Sequence, residues 1–524
     1  MKKLLTVFLL TTAAHSFAQD WPVKNRVLAA KENNVFFTRI PAFNFIGNKT
    51  LTGRGTYQQL SINTTLNRQL MEQRPDAITI SIPLSNKQSI TCDLVKFSLG
   101  NVKFTENNGK VVEDIKIPVT YRGIVTGEKS INNVILTANE DYLSVVATMA
   151  DKVIQVTKAD EKDKTIYRLY NSSQLAFPEV PFDCGTKQSA KTQTSNGIQL
   201  NGVVADPLSY KDKCVNVFVD CFDSLYLWQD SNIQKTVNYV YELFNAVATG
   251  YYNDTINVQV TAVNVWSTPD PFRGDKRENA LYDLAGYWKD NFFGNICVGL
   301  DYSPSQRIRS GIADDIARIK AVSANTCPAY SHNGTDSLSA CLYAELNYVG
   351  FSTQNFPTGP NTTGAQIYLV MHEIGHLLGA HHTHWCGWKL TSNPNTYGAI
   401  DSCAPTERVL RTDPPCPKGP PPPASGGTIM SYCTAGVGGN FIGYQNGFGK
   451  LPGNAIRNFI DQSACLLLCV DCFGFIGNKN NNDSYAYNKN AGPVIKNEKD
   501  KYIKNTAIKI DNPTGTYLST LPKK

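Results

Sequence analysis

Apolar residues recur at every second position over the first third of the chain and at helical spacing further on, and this change of period divides it. Ile78, Ile80 and Ile82 alternate with small polar residues up to Pro83, and Val134 to Leu136, Leu143 to Val146, Val153 to Val156 and Ile166 to Tyr170 are short β-prone runs separated by polar turns. The pattern predicts a β-rich unit over residues 19–185, with the strand spacing of a sandwich or barrel. Residues 186–204 then turn polar (TKQSAKTQTSNGIQLN over 186–201), the composition of a linker.

Beyond the linker, strand and helix patterns alternate. Val215 to Val219 reads as a strand, and Ile233, Val237, Val240, Phe244 and Val247 share one helical face as far as Gly250, where the helix is expected to stop. Ile256, Val258 and Val260 alternate towards Trp266, and Leu281, Leu284 and Trp288 mark a second helix ahead of a strand at Ile296 to Leu300. Such alternation predicts an α/β layer domain over 205–472. Residues 473–524 are rich in Asn and Lys, have little periodicity, and are expected to form a flexible tail or small appended segment.

Composition narrows the class. The chain has 524 residues, 42% hydrophobic and 18% charged, a balance that suits two to four globular domains. A net charge of +6 over that length is a weak field and gives no reason to expect a nucleic-acid partner. Lys2 and Lys3, the apolar run Leu4 to Ala14 and the small-residue site Ser16-Phe17-Ala18 form a secretory signal peptide over 1–18, so the mature protein is expected to be exported. That run is too short to cross a bilayer and no second one follows, so no stable membrane insertion is expected. All 14 Cys lie beyond the cleavage site, which favours disulfides.

The chemistry concentrates in IYLVMHEIGHLLGAHHTHW, residues 367–385. His372 and His376 stand four apart, so on a helix both imidazoles leave from one face and can share a metal, with Glu373 beside them. Gly379 lets the chain leave the helix sharply and return His382 as a third nitrogen ligand. Three imidazoles without a thiolate make a zinc site of the catalytic kind, with a position left for water. Of the seven His, His15 falls in the signal peptide and five crowd into 372–384. Only His332 is left for a Ser-His or Cys-His arrangement elsewhere, which makes nucleophilic catalysis a poor competitor. His381 and His384 are expected to flank the ligands rather than join them.

HExxHxxGxxH at 372–382, followed by Gly427-Thr428-Ile429-Met430-Ser431-Tyr432-Cys433, resembles the metzincin clan of zinc peptidases, in which the methionine of the later turn lies beneath the zinc ligands. The nearest resemblance is to adamalysin or reprolysin-like peptidases, including exported bacterial forms. VNVWSTPDPF (263–272), SGIADD (310–315) ahead of Cys327, and a C-terminal helix at 455–464 ending at Cys465 carry that likeness, and YRGIVTG (121–127) resembles the family's propeptide. Thr383 departs from it, since adamalysins carry Asp directly after the third histidine. Met430-Ser431-Tyr432 looks more like the turn of serralysins or pappalysins.

The resemblance implies an α/β metzincin catalytic domain, with a mixed twisted sheet, an active-site helix and a C-terminal helix, preceded by a β-rich prodomain. It implies a secreted zinc endopeptidase acting on protein or peptide substrates and made as a latent precursor. His372, His376 and His382 would hold one zinc ion and Glu373 would carry the proton between water and leaving amine. The alternative is a catalytically inactive binding or adhesion protein on the same scaffold. Tyr432 is either a residue that touches zinc or the reacting carbonyl, or packing in the turn. Cys184, in PFDCGTK at the end of the prodomain, is either a thiolate that caps zinc to keep the precursor latent or a disulfide partner of Cys92. Calcium dependence and oligomeric state are not fixed by the sequence.

Overall fold

A computed structural model describes residues 21–171 apart from 52–54, 108, 131, 141, 150–151 and 160–164; then 182–186, 194–195, 198–199, 210–302 apart from 289–290, 309–319, 340–346, 364–422 apart from 393–394 and 411, 427–434, 446–463, 466, 469, and short strands at 486–488, 492–496 and 502–503. The signal peptide, Cys327, His332 and Cys465 lie outside these residues.

The N-terminal half is built on a ten-stranded sheet, antiparallel except where Phe37–Ile40 pairs with Ala77–Pro83. Ile78, Ile80 and Ile82 all enter one core with Leu94, Val134, Leu136, Val145, Val156 and Leu169, as period-two alternation requires. Strands Val119–Val125, Asn133–Ala138 and Leu143–Met149 are instead buried at every position. Their second face lies against the long helix Ile233–Asn253, where Arg122 donates to Asn245, Ser144 donates to Glu242 and the Tyr142 hydroxyl donates to the carbonyl of Asn238. Two helices, Pro22–Glu32 and Thr64–Gln73, interrupt this β-rich half. Asn63 caps the second by accepting from the Thr65 amide at 3.1 Å.

A second sheet of eight strands carries the order 182–184, 309–313, 341–345, 296–301, 214–221, 257–265, 103–106, 110–111. It is mixed: Arg309–Ala313 runs antiparallel to Cys341–Glu345, and the central strands are parallel. Cys214–Cys221, Ile296–Asp301 and Cys341–Glu345 are buried on both faces, the usual state of parallel strands under helices. Both ends of this sheet are supplied by residues before the linker. Lys103–Glu106 pairs with Ala262 to Val265 at one edge, and Phe182–Cys184 pairs with Arg309–Gly311 at the other.

Helix Ile233–Asn253 runs past Gly250, where it was expected to end. The glycine is there for packing: a Cβ at position 250 would stand 2.7 Å from Met371 Sδ, so its absence lets helix Gly364–Leu377 approach closely. The Tyr251 hydroxyl donates to the Met371 carbonyl at 2.7 Å and fixes the same contact. The C-terminal helix spans Lys450–Gln462, starting earlier than 455 because Gly449 at φ +74 turns the chain into it. Cys214–Cys469 ties the chain beyond that helix to the first central strand, and Cys386–Cys416 and Cys403–Cys433 cross-link the segment after the histidine motif. Among the described residues no helix is long and apolar enough to cross a membrane.

Candidate metal centre

Helix Gly364–Leu377 places His372 and His376 one turn apart, both fully buried. It ends in a Schellman pattern, with the Ala380 amide on the Gly375 carbonyl at 2.9 Å and the Gly379 amide on the His376 carbonyl at 2.8 Å. Gly379 takes φ +98, the left-handed conformation that makes glycine the fitting residue there. The reversal returns His382 to the helix face: His376 Nε2 lies 3.2 Å from His372 Nε2 and 3.1 Å from His382 Nε2.

The opposite ring nitrogens are all engaged. His372 Nδ1 meets the Ile429 carbonyl at 2.8 Å, His376 Nδ1 the Ala380 carbonyl at 2.7 Å, and His382 Nδ1 the Glu407 carboxylate at 2.8 Å. Acceptors at Nδ1 put the proton there, so three Nε2 lone pairs face one point. Burial holds His372 and His376 well below the ordinary imidazole pKa, and neutral imidazole is the form that binds metal. Ligands at the Zn–N distance of about 2.0–2.1 Å in a tetrahedron stand about 3.3 Å apart, close to the separations found. The donor set fits zinc.

Glu373 is fully buried beside these rings; one carboxylate oxygen, Oε1, has no partner among the described residues. Burial pushes its carboxyl up to about 8, against the lowering effect of donors from Cys184 and Thr186. Met430 is fully buried under the helix at Gly375, where a Cβ would stand 2.8 Å from its sulfur. The Tyr432 ring centroid lies 5.0 Å from that of His382 and 4.8 Å from that of His384. His381 stacks on Trp385 with ring centroids 3.6 Å apart.

The family model Reprolysin_5, described as metallo-peptidase family M12, matches residues 211–441. Over these residues the chain is similar to reprolysin-like M12 metallopeptidases. No curated protein matches the sequence. Among solved structures, metalloproteinase-II from Bacteroides fragilis aligns over 58% of this chain and 81% of its own at 12% identity and a TM-score of 0.33. A chaperone–substrate complex aligns over 58% and 64% at 8% identity and a TM-score of 0.22. At these scores neither alignment carries an argument.

The matched stretch 211–441 contains all three histidines, Glu373, Met430 and Tyr432, but two groups at the centre come from outside it. Strand Phe182–Cys184 brings Cys184 Sγ to 3.4 Å from His376 Nε2 and 3.6 Å from Glu373 Oε2, so that Cys184, His372, His376 and His382 form one potential four-donor set. The Thr186 hydroxyl donates to Glu373 Oε2 at 3.1 Å and accepts from the Ala313 amide at 2.8 Å. Cys92 is buried in the N-terminal sheet and is not joined to Cys184, so the disulfide that the even cysteine count allowed is absent. Thr186, Asp401 and Glu407 carry no spacing relation to the histidine motif and are found only from the structure. The one signal is indirect: closely spaced cysteines at 386, 403, 416 and 433 imply a cross-linked segment beside the ligands.

Proposed function

We propose that the chain is a secreted zinc-dependent endopeptidase of the metzincin type, made as a latent precursor. The observation that supports this best is the convergence of the His372, His376 and His382 Nε2 atoms with the buried Glu373 carboxylate at their side. His372, His376 and His382 would hold zinc, which would supply Lewis acidity for a peptide carbonyl and a water. Glu373 takes the water proton on its unpartnered oxygen and delivers it to the leaving amine. Tyr432, against the His382 ring, would steady the charge developing on the carbonyl oxygen. An extended substrate would add along strand Arg309–Ala313 once the segment paired with it has left.

That strand is paired with Phe182–Cys184. In the precursor Cys184 therefore stands as a fourth donor beside the imidazoles while Thr186 engages the proton carrier, and cutting within 186–204 would free both. Export rests on the pattern of Met1 to Ala18. The test compares the precursor, its Cys184→Ser variant and linker-cut protein, each with zinc analysis and a mixed-peptide library digest. One zinc per chain is expected, with full cleavage by linker-cut protein only, because Cys184→Ser leaves Phe182–Cys184 paired along Arg309–Gly311 and Thr186 on Glu373. Zinc-loaded, linker-cut protein that hydrolyses nothing would refute the peptidase reading in favour of a binding protein. A precursor as active as the linker-cut protein would refute latency.

A further inference from the structure

The three histidines are not oriented alike. His372 and His376 direct Nδ1 to main-chain carbonyls of Ile429 and Ala380, groups held in place by the turn and helix end themselves. His382 alone depends on a side chain, Glu407, whose Oε1 accepts from His382 Nδ1 at 2.8 Å and from His384 Nε2 at 3.0 Å. His382 is 1% exposed, so with Glu407 in place its ring meets this carboxylate and not solvent.

Glu407 is delivered by a dedicated piece of backbone. Its amide donates to the His384 carbonyl at 2.9 Å and its carbonyl accepts from the Cys386 amide at 2.8 Å, so the carboxylate rides on a strand-like pairing one residue wide beside Trp385. Cys386–Cys416 and Cys403–Cys433 interleave across this segment, which shortens the excursions open to it. The same segment supplies Asp401, which accepts from the Ser431 hydroxyl at 2.6 Å and from the Cys403 amide at 3.2 Å, next to Met430. At the position after His382, Thr383 offers no charge, and its amide donates to the Met430 carbonyl at 3.1 Å.

We infer that Glu407 is a positioning residue for the metal: its carboxylate fixes the tautomer and plane of His382, and the cross-linked loop 386–416 exists in part to present it. The inference rests on the zinc reading above. A carboxylate at Nδ1 keeps the proton there, leaves Nε2 free as the ligand atom and raises its basicity. Removing it leaves a buried N–H unsatisfied and the ring free to turn or change tautomer.

The test is zinc affinity of the full-length protein, stripped of metal and titrated against a chromophoric chelator, with the melting temperature of the zinc-free form recorded beside it. Glu407→Ala is expected to bind zinc about 10–100-fold more weakly, and the zinc-free form to melt several degrees lower because buried His382 and His384 lose their acceptor. Glu407→Gln keeps an acceptor of the same shape without the charge and is expected to fall between the two. Affinity of Glu407→Ala within twofold of the parent overturns the inference. If Glu407→Ala fails to fold, Glu407→Gln decides, parental affinity overturning the inference and weakened affinity supporting it. Parent protein that binds no zinc overturns both this inference and the peptidase reading, whereas a zinc-binding parent matched by its variants overturns this one alone.

Discussion

Gly311 separates the cost of a substitution to the fold from its cost to chemistry. It sits in strand Arg309–Ala313 directly against Glu373: a Cβ there would stand 2.8 Å from Glu373 Cδ and 2.6 Å from Leu369 Cδ1, and closer still to Glu373 Oε1. Carbon atoms in ordinary contact are about 3.5 Å apart, so Gly311→Ala must drive the carboxyl group back by roughly 0.7 Å or more. The backbone at 311 is not in the left-handed region, so alanine brings no strain of its own. Both obstructing groups are side-chain ends that can give, which puts the stability loss near 1 kcal/mol, the low end of overpacking. In a domain this size that lowers Tm by about 2–4 °C. Catalysis is less forgiving, because a misplacement of about 1 Å can cost about 100-fold in rate, equivalent to about 2.7 kcal/mol of barrier. The expected result, with the prosegment removed and zinc content equal, is kcat/KM reduced about 10–100-fold by Gly311→Ala while the protein melts within a few degrees of the parent. A zinc-loaded variant within twofold of parental kcat/KM would refute the placement of Glu373 as proton carrier.

The remaining expectations separate metal binding from proton transfer. Glu373→Gln keeps three imidazoles, so zinc content should persist while peptide hydrolysis falls by about 10² or more; His376→Ala should instead lose zinc, read by metal analysis of the purified chain. Tyr432→Phe keeps the ring against His382 and removes only the hydroxyl. It should lower kcat with Tm unchanged, and an unaltered kcat would make Tyr432 packing in the turn.

Local periodicity made parts of the fold legible. The strands around Val134, Val145, Val156 and Leu169 form an antiparallel meander, each paired with its neighbour in sequence, so alternation and turn chemistry carry the information. Helix Pro22–Glu32 also has a readable signal, Pro22 at its first turn with Val23, Val27 and Ala30 buried at helical spacing, though it is short and set among strands. The pairing of Lys103–Glu106 with Ala262 to Val265 has no such signal. Partners 159 residues apart in sequence, such as Thr105 and Asn264, meet only because the sheet of the first half packs on helix Ile233–Asn253, and that packing is written in no single window.

The metal centre divides along the same physical line. His372 and His376 are readable because helix pitch converts a spacing of four into one face, and His382 because Gly379 permits a single reversal. Glu407 lies 25 residues beyond His382 and meets it through a cross-linked segment without periodicity. Which cysteines pair decides whether that segment folds back on the ligands, and four cysteines allow three connectivities that sequence cannot rank. Connectivity 386–416 with 403–433 puts Glu407 and Asp401 on the inner side, one at the third ligand and the other at the turn holding Met430. The charge that Thr383 does not offer next to the histidine in sequence therefore reaches the site through space. A motif that counts only adjacent positions records the departure at 383 and misses the carboxylates that stand near it.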